Sequence, residues 1–255
     1  MSIKKQVQQQ FGKNAGQYVT SEIHAKGNDL TALLSIASNT NGGVALDIAT
    51  GGGHVANGLA PLMEQVVALD LTSSMLEEAE AFIRGNGHSN VTFVQGDAEN
   101  LPFDDNSFTI VTCRIAPHHF PNITAFITES YRVLQPNGTF LLIDNVAPER
   151  EEFDIFYNTI EKRRDYSHNR ALKKSQWLTL VEEAGFETQQ LFTFSKTFQF
   201  DNWCDRMALP LEEKKELEQF ILQAPDAMQR HFHVTVQDNQ LISFQVQSIF
   251  LICKK

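Results

Sequence analysis

Residues 45–56 read ALDIATGGGHVA. A short apolar run carrying one carboxylate, Asp47, leads straight into three glycines. Without a Cβ, such a segment turns through conformations closed to other residues and lets another molecule come close to the backbone. In open α/β sheets, a loop of this kind after a strand lies at the carboxyl ends of the strands, where ligands bind. Gly51, Gly53 and Ala56 fit the loose G-x-G-x-x-A form of a dinucleotide fingerprint, which is a weak signal by itself.

The surrounding sequence supplies the sheet that such a loop needs. VALDI (44–48), VVALD (66–70), VTFVQ (91–95), FTIVTC (108–113) and TFLLID (139–144) are short, near-continuous apolar runs, as strands covered on both faces are. Between them, SSMLEEAEAFIRGNG places Met75, Leu76, Ala79, Phe82 and Ile83 on one helical face. Ser74 with Glu77 reads as its capping box, and Gly85 and Gly87 as its stop. PNITAFITESYRVLQPNG places Ile123, Phe126, Ile127, Tyr131 and Leu134 on one face and ends at Pro136, Asn137 and Gly138. This alternation predicts an α/β fold with a mostly parallel sheet and helices on both faces. After residue 148 the rhythm changes. EEFDIFYNTIEKRRDY reads as a helix, and SQWLTLVEEAGF as a helix capped by Ser175 and stopped by Gly185. TFSKTFQF (193–200) alternates like an antiparallel strand, the segment from Asp201 to Gln223 reads as a helical insertion broken at Pro210, and LISFQVQSIFLICKK reads as a final strand.

Composition narrows the partners. The formal net charge is −10, which disfavours a nucleic-acid backbone or an anionic membrane as the main partner. The basic run from Lys162 to Lys174 reads as a solvated helix face or as a local binding patch. No stretch approaches the ~18 consecutive apolar residues of a membrane span, and the N-terminal segment lacks the apolar core of a signal peptide. Cys113, Cys204 and Cys253 are odd in number and far apart, which suggests reduced thiols and a cytoplasmic setting, with neither a disulfide framework nor a zinc pattern. No metal site is expected: His118 with His119, and His231 with His233, lack a third ligand at recognisable spacing. Oligomeric state is open, a homodimer included.

Three carboxylates follow successive strands. Asp47 precedes the glycine loop, Asp70 ends the second strand and Asp97 follows the third. A pyrophosphate at the loop would be repelled by Asp47, whereas a ligand carrying an ammonium and a sulfonium would be attracted. Asp70 is placed to accept from two ribose hydroxyls, and Asp97 from an exocyclic amine; helix capping and loop solvation are the alternative uses of both.

ALDIATGGGHVA, VVALDLTSSML, FVQGDAENLPFDDNSFTIVTC and YRVLQPNGTFLLID, in this order, resemble the successive motifs of class I S-adenosylmethionine-dependent methyltransferases. The similarity is closest to the UbiE-like branch, named for ubiquinone and menaquinone biosynthesis, and covers roughly residues 10 to 148. One departure is Ala49, which stands where many members have glycine. The resemblance implies a Rossmann-like seven-stranded sheet, with 186–200 and 241–252 as its antiparallel C-terminal edge, and S-adenosyl-L-methionine as cofactor. It implies one domain over 1–255, with lid helices in 1–40, the cofactor-binding core in 41–148, and substrate-side insertions and C-terminal strands in 149–255. Asp47, Gly51 and Gly53, with Ala49 in the same loop, would line the methionine part of the cofactor. Asp70 would hold the ribose, Leu71 would lie against the adenine, and Asp97 and Ala98 would recognise its edge. The backbone near Arg114 would sit close to the methionine amine. QQQFGKNAGQYVTSE is similar to the family's lid, with Tyr18 closing over the cofactor; an amphipathic helix packed on the sheet is the alternative.

Methyl transfer from a sulfonium is an in-line displacement, for which the protein supplies alignment and a dry pocket. A phenol, enol or amine acceptor also has a proton to lose, which a base can take. CRIAPHHFPN places His118 and His119 just after the fourth strand, as candidate bases or as packing and capping residues. RRDYSHNR offers Arg164, His168 and Arg170 as acceptor-binding residues or as ion pairs tying the insertion to the core. His54 is expected to pack locally. CRIAPHHF, RRDYSHNR and Trp177 together resemble a bacterial subgroup of the UbiE-like branch. The expected function is methylation of a small, apolar or aromatic molecule, with no nucleic-acid partner. A nicotinamide-dependent oxidoreductase and a non-catalytic S-adenosylmethionine-binding protein are the alternatives.

Overall fold

A computed structural model describes residues 2–19, 27–40 and 42–255, apart from the side chains of 13–19. Five parallel strands form its centre: β1 (Val44–Ile48), β2 (Gln65–Asp70), β3 (Val91–Gln95), β4 (Phe108–Arg114) and β5 (Leu134–Val146). Two long strands, β6 (Glu187–Gln199) and β8 (Gln240–Lys254), extend the sheet in antiparallel fashion. The order is β3-β2-β1-β4-β5-β8-β6, and a short β7 (Thr235–Gln237) pairs with β8. Among the described residues the sheet therefore has eight strands where the motifs predicted seven. β7 is three exposed residues, too short to show a period in sequence. Chain order reverses between β1 and β4, and a crevice opens there at the carboxyl ends of the strands.

Helix α1 (Ile3–Val19) precedes the sheet. Helices α2 (Asn28–Ala37), α3 (His54–Leu59) and α4 (Ser73–Gly85) cover one face, packing Leu33, Val55, Leu59 and Ile83 on Ala45, Val66 and Ile110. Helices α5 (Ile123–Val133) and, further along, α7 (Lys174–Glu183) cover the other, packing Phe126, Ile127, Trp177 and Val181 on Leu46, Ile48 and Val111. A third core lies outside the parallel sheet. Helix α6 (Glu151–Arg164), α8 (Phe200–Asp205) and α9 (Leu211–Leu222) bury Phe153, Phe156, Tyr157, Trp203 and Leu217 against Leu241, Phe244 and Val246 of β8. Each such side chain contributes roughly 1.5–3 kcal/mol on full burial. The first half of β8 extends past β5, so this cluster stands directly beyond the crevice.

Two helix starts differ from the expected caps. α4 begins at Ser73 after Thr72, without a side-chain cap, and the Ser74–Glu77 box does not form. The turn into it is held by Asp70, whose Oδ1 accepts from the Thr72 N–H at 2.9 Å. α7 begins at Lys174, where Gln176 Oε1 accepts from the Lys173 N–H at 2.9 Å. Ser175 is drawn away from capping because its hydroxyl donates to Glu149 Oε2 at 2.6 Å.

Candidate active site

The glycine loop turns at three left-handed residues: Ala49 (φ 55°), Gly51 (φ 54°) and Gly53 (φ 81°). A Cβ on Gly53 would meet Ala79 Cβ and Ile83 Cδ1 at 3.0 Å, so this glycine is what seats the loop on α4. Ala49 adopts the backbone of the glycine it replaces, at a cost of about 1–2 kcal/mol for an L-residue. Asp47 lies beneath the loop, 1% exposed, and accepts from Thr50 Oγ1 at 2.6 Å and Thr112 Oγ1 at 2.8 Å. Burial lifts its pKa to about 6 in spite of those two donors. Asp70 accepts from the N–H groups of Gly51 (3.0 Å) and Thr72 (2.9 Å); burial raises its pKa, and these donors oppose the rise. Two backbone amides thus aim the Asp70 carboxylate, whose oxygens keep lone pairs for further donors.

A cleft of about 1050 Å³, counted to its mouth, runs along these groups from Asp47 to Asp97, with Ala49, Gly51, Leu71, Ala98 and Arg114 in its walls. Helix α1 roofs it. Lys4 Nζ lies 2.5 Å from both Asp97 Oδ2 and Glu99 Oε2, Gln8 Nε2 donates to Leu71 O at 3.1 Å, and Phe11 packs edge-on to His119 with ring centroids 5.0 Å apart.

A second cavity, about 1290 Å³ to its mouth, adjoins the first. The two share Phe11, Arg114, Ile115 and His119. The chain reaches this wall through Ile115, a β-branched residue at φ 55°. Such a conformation is rare enough to mark a site where the surrounding structure imposes it. Two carboxylates anchor the wall. Asp29 accepts bidentately from Arg114 at 3.0 and 3.1 Å. Asp144, fully buried at the end of β5, accepts from His118 Nδ1 at 2.6 Å and from the His118 backbone N–H at 2.9 Å. Burial alone would lower the His118 pKa, but Asp144 outweighs it and raises the value. His119 is driven down to about 4 by burial and by the adjacent His118, whose ring centroid is 4.2 Å away.

Comparison with known proteins decides the family. YcgJ of Bacillus subtilis strain 168, named as a methyltransferase, is 35% identical over 242 residues, which is 94% of this chain and 96% of YcgJ. The chain belongs to the class I S-adenosylmethionine-dependent methyltransferases. Residues 46–142 match the family model described as a methyltransferase domain. A solved structure from Bacillus halodurans C-125, assigned as a methyltransferase, superposes with a TM-score of 0.88 at 53% identity, covering 90% of this chain and 99% of that one. The C-methyltransferase UbiE of Brucella canis is 28% identical over 191 residues, 66% of this chain and 71% of UbiE. This membership gives an enzyme with S-adenosyl-L-methionine as its cofactor and removes the nicotinamide-dependent reading of the glycine loop.

The cleft of this methyltransferase suits that cofactor. A buried carboxylate whose pKa has risen to about 6 is a group that a neighbouring cation would stabilise, and the cofactor carries two positive centres. Asp70 is presented for hydroxyls, and the mouth at Asp97 is polar. When bound, the cofactor supplies an electrophilic methyl group.

Of the sequence-derived candidates, Asp47, Ala49, Gly51, Asp70, Leu71, Asp97, Ala98 and Arg114 line the first cleft, while Gly53 acts through packing. His54 lies in the cleft wall with its ring 5.2 Å from that of Phe82. Asp97 is already engaged by Lys4. The Tyr18 side chain falls outside the described residues. His118 and His119 come together at the second cavity, and Arg164 lines it while donating to Glu161 Oε2 at 2.9 Å. Two candidates line neither cavity. The Arg170 guanidinium is drawn to Asp154 Oδ2 at 2.6 Å. His168 is 2% exposed behind the other two histidines, with Nε2 3.0 Å from Asn158 Oδ1. Among the described residues, no group of three or more ligating side chains is placed to hold a metal ion, and no helix is long and apolar enough to cross a membrane.

Sequence reading missed Asp144, Asp29 and Lys196. Asp144 carried a usable signal, since it ends an apolar strand as Asp47 and Asp70 do. Asp29 and Lys196 carried none, because only folding brings residues 29, 114 and 196 together.

Proposed function

We propose that the chain methylates a small, apolar or aromatic molecule held in the second cavity, with His118 as general base. What carries this reading is the wall shared by the two cavities, which has a carboxylate–imidazole pair beside it. Phe11, Phe198 and Trp203 supply apolar surface around the acceptor. His118 Nδ1 is committed to Asp144, which leaves Nε2 for the cavity. With the cofactor bound, His118 would take the proton that the acceptor atom loses on methylation. Asp144 orients the ring and stabilises the imidazolium. His119, neutral above about pH 4, shapes the passage between the cavities.

The test is acceptor-dependent release of S-adenosylhomocysteine across a panel of phenols, enols and amines. His118→Ala should lower kcat by about 100-fold or more, with cofactor affinity near normal. The base must be neutral, so kcat/KM should rise with pH through a pKa above 6.5. Asp144→Asn removes the charge that raises that pKa, so the rising limb should move to lower pH as kcat falls. An unchanged pH profile in Asp144→Asn would remove the dyad from the mechanism.

A further inference from the structure

The second cavity runs against the charge of the chain. Its described lining holds Arg114, Arg164, Lys196 and Arg206 but only two carboxylates, Asp29 and Glu161. Each of those carboxylates has its own cation. Both Asp29 oxygens accept from Arg114, and Glu161 accepts from Arg164 at 2.9 Å and from the Tyr157 hydroxyl at 3.2 Å. Asp144, behind the wall, is matched by His118.

Lys196 shares Asp29 with Arg114. It projects from β6 with a side chain 20% exposed, and its Nζ has Asp29 Oδ2 at 3.8 Å, beyond hydrogen-bond reach. That oxygen already serves Arg114. An ammonium has three donors and no acceptor, and burying it opposite one shared carboxylate at 3.8 Å is costly. Burial accordingly depresses the Lys196 pKa, and Asp29 only partly opposes the fall. Beside it stand Phe198 and Trp203, with the Arg206 guanidinium 5.4 Å from the Phe198 ring centroid.

We propose that the methyl acceptor carries an anionic group, a carboxylate or a phosphate, which Lys196 Nζ binds inside the second cavity while the acceptor's apolar body lies against Phe198 and Trp203. This inference rests on the second cavity being the acceptor site. An anion there gives the ammonium an acceptor within hydrogen-bond reach. It also selects among aromatic acceptors, because a neutral analogue leaves the buried lysine with no acceptor beyond the carboxylate it shares with Arg114.

The experiment is calorimetry on the protein saturated with S-adenosylhomocysteine, with benzoate, phenyl phosphate and neutral benzamide as probes at up to millimolar concentration. One or both anions should bind at least about tenfold more tightly than benzamide. Lys196→Met should abolish the preference and Lys196→Arg should keep it, with circular dichroism confirming the fold of each. Whichever anion binds better separates carboxylate from phosphate. Equal binding of benzamide and the anions overturns the proposal, as does an anion preference that survives in Lys196→Met or a failure of all three probes to bind. Trp203→Ala reports separately on the cavity. Equal binding of all probes that is lost in Trp203→Ala leaves the acceptor site standing and removes only the anion, whereas binding indifferent to Trp203→Ala removes the site itself.

Discussion

At the residue scale, Asp47 is held where its charge is disfavoured until a cation arrives. Its folded pKa, about 6, lies above the ordinary aspartate value of 3.8. A raised pKa means that its contribution to stability is fully present below about 3.8 and is lost as pH rises through about 6. Asp47→Asn should therefore raise the stability of the ligand-free protein at neutral pH, by up to about 3 kcal/mol, and flatten thermal stability across that window. The same variant should bind S-adenosylmethionine more weakly. In the wild type, cofactor affinity should rise with pH up to about 6 and release protons there, because the bound cation favours the carboxylate. Calorimetry in buffers of different ionisation enthalpy measures that release, and its absence would take Asp47 out of contact with the ligand's charge. Ala49 makes a second, independent case. Ala49→Gly relieves a left-handed alanine but loosens the unfolded chain, so the expected gain is about 1 kcal/mol in chemical denaturation. A loss of stability would mean that the Ala49 methyl contributes more by packing than its conformation costs.

At the element scale, α1 and the exit of β4 define the passage between the cavities. α1 is amphipathic, yet it spends Lys4, Gln8 and Phe11 on the cleft, and Gln10 Nε2 reaches Met207 Sδ at 3.2 Å beyond it. An element fastened by a few polar contacts opens more easily than one locked by core packing. Replacing Lys4 and Gln8 together by alanine should speed dissociation of S-adenosylhomocysteine several-fold in stopped-flow, since affinity changes of this kind act mainly on release. Unchanged release would mean that the ligand leaves without moving α1. The strained turn at Ile115 does the opposite work. Fixed by its N–H to Ile143 O at 2.7 Å, it stiffens the wall that both cavities share.

At the scale of the whole molecule, three cores divide the labour. Two clamp the parallel sheet, and the third carries the far wall of the second cavity. Binding of S-adenosylhomocysteine should slow hydrogen exchange in α1, the glycine loop and the ends of β2 and β3, and leave α6, α8 and α9 unchanged. Protection spreading evenly into those three helices would show that the cores move as one body.

The alternation of apolar runs with helical periods was enough for the α/β architecture, and the ordered motifs around Asp47, Asp70 and Asp97, through their resemblance to a known family, implied the cofactor class. These are local features, set by spacing along the chain. Residues 29, 114 and 196, and the pair His118–Asp144, belong to different elements and meet only because the sheet order brings β4, β5 and β6 to one end. Arg170 shows the same limit from the other side: it reads as a ligand-binding arginine until folding places Asp154 beside it. The family and its loop are written in sequence. Which charges meet in the second cavity is decided by tertiary structure, because a buried charge takes its meaning from whatever stands next to it.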